Sequence, residues 1–109
     1  MVDSAKGVVV ICCYDTPASP TLLLLSEDHY HIKEKYAPQC PVLAIRITET
    51  YLLVALERTS TDYQLLLFHR IQDKFFEKSP LVHRLGSNRP VALTKVPNSI
   101  SFILLSESK

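Results

Sequence analysis

The residues of this 109-residue chain able to do chemistry are four histidines, three cysteines and a short basic stretch around Leu85. His29 and His31 alternate along one segment and would present two imidazoles on one face. Zinc would want a third and usually a fourth ligand there, from Cys12 or His69, and nothing in the spacing brings those residues together. The ordinary use of such a face, with Lys33 and Lys35 beside it, is a solvated strand surface. A pair such as Cys40 with His83 could serve nucleophilic catalysis only with an orienting group and an oxyanion pocket, and the sequence shows neither. Cys40 sits between Gln39 and Pro41 in a loop, with no feature that would lower its pKa. The expectation is therefore no catalytic residue, no metal site and no cofactor.

His83, Arg84, Asn88 and Arg89 form the one cationic loop, and Arg84 with Arg89 is the candidate contact for an anion. Gly86 alone does not make a glycine-rich phosphate cradle, so a solvated connection is the plainer use of this segment. Twelve basic and eleven acidic residues leave a net charge of +1, too little to draw in a nucleic acid or an anionic membrane from a distance. Tyr30, Tyr36, Tyr63, Phe75 and Phe76 are numerous enough for a stacking surface, but their phase matches strand interiors. Cys12, Cys13 and Cys40 make no paired framework. They read as free thiols in a reducing compartment, which with no secretory pattern at the start predicts a cytoplasmic chain, the nucleus also being open. The longest apolar run, residues 8–14 (VVVICCY), is far below the ~20 residues that span a bilayer.

The elements that must position these groups read as short strands. Residues 7–15 (GVVVICCYD) form an apolar run closed by a turn at residues 16–20 (TPASP), whose prolines cannot donate to a ladder. Residues 21–26 (TLLLLS) are too few for a supported helix and predict a strand buried on both faces. In residues 29–36 (HYHIKEKY), Tyr30, Ile32 and Tyr36 oppose His29, His31, Lys33 and Lys35, the pattern of an edge strand. Residues 41–48 alternate, and residues 50–57 (TYLLVALE) are apolar on both sides as an interior strand should be. A polar turn at 58–62 leads into 63–71 (YQLLLFHRI). A tight link at Gln72, Asp73 and Lys74 follows, then an outer strand through Phe75 and Phe76 to Pro80. The rival for residues 62–78 is a helix capped by Asp62 and carrying Leu67, Phe68, Ile71, Phe75 and Phe76 on one face, which would make the fold α+β. Residues 81–89 read as a long link, and 90–96 with 99–107 as a hairpin turning at Pro97 and Asn98.

Parts of the chain repeat. PVLAIRITETYLLVALE and PVALTKVPNSISFILLSE each begin with Pro-Val, run one alternating strand, turn in a few polar residues and close on Glu. A unit of roughly 40 to 50 residues with four short strands is the period of a β-propeller blade. The reading is an all-β chain of propeller-like blades of four antiparallel strands, one complete at about 41–80 and partial ones at 7–37 and 90–107. On Val42, Leu43, Ile45, Ile47, Leu52, Val54, Leu56 and Glu57 the sequence resembles the WD-like propellers called PROPPINs. That resemblance covers about half the chain and rests on core positions, so it speaks for fold more than function. It implies partner docking through outer loops, here 16–20 and 58–62. The Phe-Arg-Arg-Gly motif of that family's phosphoinositide sites is missing, so no lipid-binding residue is carried over.

A stack of two or so blades leaves apolar faces in water unless something covers them. The chain is then a piece of a larger propeller, or completes itself on another protein or on copies of itself, or folds as a small sandwich or barrel. The function expected is a non-catalytic protein–protein interaction module or scaffold subunit. The alternatives are a dimerising α+β adaptor and a phosphoinositide or anion binder using Arg84 and Arg89.

Overall fold

The structure, a computed structural model, describes residues 1–16, 19–99 and 101–108, and among them there is no helix. Ten strands follow in order: β1 (Val2–Ala5), β2 (Val8–Thr16), β3 (Ser19–Ser26), β4 (Ile32–Tyr36), β5 (Val42–Ile47), β6 (Tyr51–Thr59), β7 (Asp62–His69), β8 (Leu81–Gly86), β9 (Asn88–Lys95) and β10 (Phe102–Ser108). They make two four-stranded sheets, β1-β2-β3-β4 and β5-β6-β7-β8, and a two-stranded hairpin, β9-β10. Every pairing is antiparallel between neighbours in sequence; turns join most of them, and a longer loop over residues 70–80 joins β7 to β8. Positive φ angles at Lys6 and Gly7 shape the β1–β2 turn, and the one at Gly86 lies at the sharp junction of β8 with β9.

The second sheet lies between the first sheet and the hairpin, and its alternation shows why. Leu52, Val54 and Leu56 of β6 point to the first sheet, while Leu53 and Ala55 point to the hairpin, and all five are buried. This is the both-sided apolar pattern of an interior strand, 50–57, that the sequence predicts. The main core joins Val8, Val10, Cys12, Leu22 and Leu24 of the first sheet to Ile45, Ile47, Val54, Leu66 and Phe68 of the second and to Phe75 of the segment after β7. Tyr36, Phe68 and Phe76 close its outer end, with ring centroids 5.0 to 5.2 Å apart in edge-on and stacked pairs.

Polar ties fix how the layers stack. The first strands of the three units, β1, β5 and β9, run close together. Lys95 Nζ on β9 pairs with the Asp3 carboxylate of β1 at 3.0 Å and donates to the Ile47 carbonyl of β5 at 3.1 Å. Asp3 in turn accepts the Ile47 N–H at 2.9 Å. Farther out, the Glu34 carboxylate of β4 accepts the N–H groups of Phe75 and Phe76 at 2.9 and 3.1 Å. The Tyr14 hydroxyl donates to the Val42 carbonyl at 2.9 Å.

Several expectations are corrected. Residues 62–78 are not a helix: residues 62–69 are strand β7, because a strand buries Leu66 and Phe68 on one face and Tyr63 on the other. Phe75 and Phe76 are not in the outer strand. They belong to a looped segment that drops Phe75 into the core, and the fourth strand of that sheet is Leu81–Gly86, inside the supposed long link. The second sheet therefore runs from 42 to 86 rather than 41 to 80. The first sheet has four strands, not three, since Val2–Ala5 pairs with β2. The edge strand begins at Ile32, because Tyr30 takes a positive φ of 52° in the preceding turn. The turn expected at 16–20 lies partly outside the described residues.

Candidate interaction surface

None of the sequence-level chemical candidates is assembled into a reactive site among the described residues. No three His, Cys, Asp or Glu side chains there converge as a metal would require. His31 is exposed and shares a 2.8 Å hydrogen bond with the Ser26 hydroxyl, and His29 lies 3.8 Å from the Asp28 carboxylate. Cys12 is buried in the core, and His69 stacks on Tyr51 with centroids 5.2 Å apart. Cys40 is buried and donates to the Pro38 carbonyl at 3.6 Å. Burial pushes its thiol above the ordinary value, the opposite of what a nucleophile needs.

Arg84 and Arg89 stand on different sheets, on either side of the β8–β9 junction. Arg84 is exposed on β8 opposite Gln64, and Arg89 is half-buried on β9 directly across from Glu107. A polar groove of about 460 Å³ at Lys6, Glu49, Thr50, Arg70, Gln72 and Asp73 has its charges paired within it. Lys6 pairs with Glu49 at 3.4 Å and Arg70 with Asp73 at 2.7 Å.

What the fold leaves open is apolar. On the first sheet, the face turned away from the core carries Val2, Val9, Ile11, Leu23, Leu25 and Ile32, which share that side by register; Leu25 is buried and Val9, Ile11 and Leu23 are half-buried, so the open part lies at the two edge strands. Val2 is 63% and Ile32 48% exposed. At the other end of the stack, the outer face of the hairpin carries Ile103 and Leu105, 48% and 56% exposed, beside Ala92. Single exposed apolar residues are ordinary, but contiguous faces at both ends are not.

A third apolar region lies between the second sheet and the hairpin. The two four-stranded sheets match in register: Val8–Ser26, Val10–Leu24 and Cys12–Leu22 in the first correspond to Tyr51–His69, Leu53–Leu67 and Ala55–Leu65 in the second. On the first sheet, Leu22 and Leu24 are sealed by the second sheet at 0% and 1% exposure. Their counterparts Leu65 and Leu67 are only half-buried, because the hairpin covers Leu53 and Ala55 but supplies no third and fourth strand. Beside them a cavity of about 400 Å³ is lined by Tyr51, Leu67, His69, Ile71, Lys78, Ser79 and Leu81.

Sequence reasoning missed this region because it rests on which strands stack, although the runs LLLF and LV that build it are plain in the sequence. No family model matches the chain, and searches of curated proteins and of solved structures return no match, so the geometry carries the functional reading alone.

Proposed function

We propose that this chain is a non-catalytic protein–protein interaction module, a propeller-like scaffold piece whose sheet stack is completed by another polypeptide. The observation that carries this is the exposed apolar side chains at opposite ends of the stack, Val2 and Ile32 flanking a half-buried Ile11 on one and Ile103 and Leu105 on the other. Sheets of this kind bury both faces against neighbours, and apolar surface left in water is a driving force for association at about 25 cal/mol per Å² removed. The two faces belong to different surfaces, so contact between them is heterologous and adds units in series. Three thiols outside any disulfide, Cys13 among them exposed, fit a reducing cytoplasmic or nuclear setting.

Charged substitutions on the faces test the reading. Ile11→Lys with Ile32→Lys, and separately Ile103→Lys with Leu105→Lys, are expected to lower the association seen by sedimentation velocity while leaving the far-ultraviolet dichroism unchanged. Association that is equally strong in both double variants contradicts it.

A further inference from the structure

The half-covered region beside the hairpin has a definable occupant, and its identification rests on the interaction-module reading above. In the first interface, Leu22 and Leu24 share one core with Leu66 and Phe68 of β7, the strand that pairs with β6. The segment after β7 delivers Phe75. Phe75 is anchored where its N–H meets Glu34, the residue paired with Leu24. In the second interface, the position of Glu34 is taken by Leu81, which is paired with Leu67 and 72% exposed. The cavity at Tyr51, Leu67, His69 and Leu81 is therefore the register counterpart of the seat that Phe75 fills. The strand corresponding to β6 is β10, the second strand of its unit, whose outer edge has no neighbour among the described residues.

We propose that β10 and this groove take a β-strand from another protein, running antiparallel to β10 and setting an aromatic side chain into the cavity of about 400 Å³. Main-chain groups along Phe102–Ser108 supply the pairing, and alternate apolar side chains of the incoming strand lie on Leu65 and Leu67. Lys78 on the cavity rim and His83, on the same face as Leu81, favour an acidic residue next to the aromatic one. The partner is thus an extended segment with alternating Leu- or Phe-sized residues followed by an aromatic residue and an acid.

The test uses the full chain and a fluorescein-labelled peptide with the sequence of residues 62–78 (DYQLLLFHRIQDKFFEK), which plays this part in the first interface. Binding is followed by anisotropy, and the amides of Phe102–Ser108 by hydrogen exchange. The expected result is saturable binding that protects those amides. Leu81→Lys should weaken it at least tenfold, while Val82→Lys, on the opposite face of β8, leaves it unchanged. Both residues are exposed, so neither variant should shift the thermal midpoint.

No binding at millimolar peptide, or binding that ignores Leu81→Lys or leaves β10 unprotected, overturns the proposal. Protection of β10 without peptide, rising with protein concentration, gives the edge to a second copy and overturns it too. Failure of the wider reading looks different: association then survives charges on both outer faces, whereas failure here is a missing peptide complex in a chain whose association those charges still abolish.

Discussion

The two interfaces of this stack are built from the same strand register and reach different degrees of closure. Between the first and second sheets, four strands face four, and Leu22, Leu24, Phe68 and Phe75 lose contact with water. Between the second sheet and the hairpin, four strands face two, and Leu65 and Leu67, the counterparts of Leu22 and Leu24, stop at half-burial. The difference shows that burial in this fold is set less by the residue at a position than by whether an outer strand pair lies over it. Leu67 is no less apolar than Leu24. It lacks the neighbour.

Matched truncations should break or sharpen that contrast. Phe75→Ala empties a filled seat in the closed interface and is expected to cost about 3–5 kcal/mol in urea unfolding, with Leu24→Ala at about 2–5 kcal/mol. Leu67→Ala, the same chemistry in the half-open interface, should cost only about 1 kcal/mol, since less surface returns to water. Equal costs for Leu24→Ala and Leu67→Ala would mean that the second interface is as closed as the first.

The polar tie shared by both interfaces gives the next largest effect. Asp3→Ala removes the acceptor of the Ile47 N–H and the partner of Lys95 in a half-buried setting. About 1–3 kcal/mol should be lost, the range for a backbone donor left unpaired. Because Asp3 joins β1 to both β5 and β9, hydrogen exchange should quicken in β5 and β9 together. Faster exchange confined to β1 would show that the tie does not couple the layers.

The smallest effect concerns pH. Burial raises Cys12 and Cys40 above the ordinary thiol value of 9.0 and Tyr14 above 10.0. The unfolded chain therefore gives up these protons first. Stability is complete below the ordinary values and falls as pH rises through the raised ones. The thermal midpoint should drop between neutral pH and about pH 10, and Cys40→Ala should flatten the slope even if it lowers the midpoint throughout. Cys40 belongs to the closed interface, so a slope unaltered by the variant would count against its burial there.

How far the sequence revealed this molecule follows from the same contrast. The interior strand TYLLVALE was legible because apolar residues on both sides of a strand leave few other uses, whereas TLLLLS read as covered on both faces and proves to have one face turned away from the core, with Leu23 half-buried there. Strand β1 was not legible: VDSA has no apolar alternation and is held by pairing with β2 and by Asp3 reaching Ile47 and Lys95, the last two distant in sequence. Strand β8 was hidden in the same way, with His83 and Arg84 reading as loop chemistry. Phe75 and Phe76 misled in the opposite sense, since an adjacent aromatic pair suggests a strand, whereas here backbone hydrogen bonds to Glu34 turn one ring inward. Which apolar residues face outward required the stacking order, which no local pattern in the sequence carries.

The most direct test of the central claim is light scattering coupled to size-exclusion chromatography on the 109-residue chain over a range of concentrations. Open ends predict mass above the 12.3 kDa of one chain, rising with concentration, and a return to that mass when charged substitutions break up the apolar faces. A chain that stays at 12.3 kDa at every concentration would contradict the account, because both outer faces would then be stable in water without a partner.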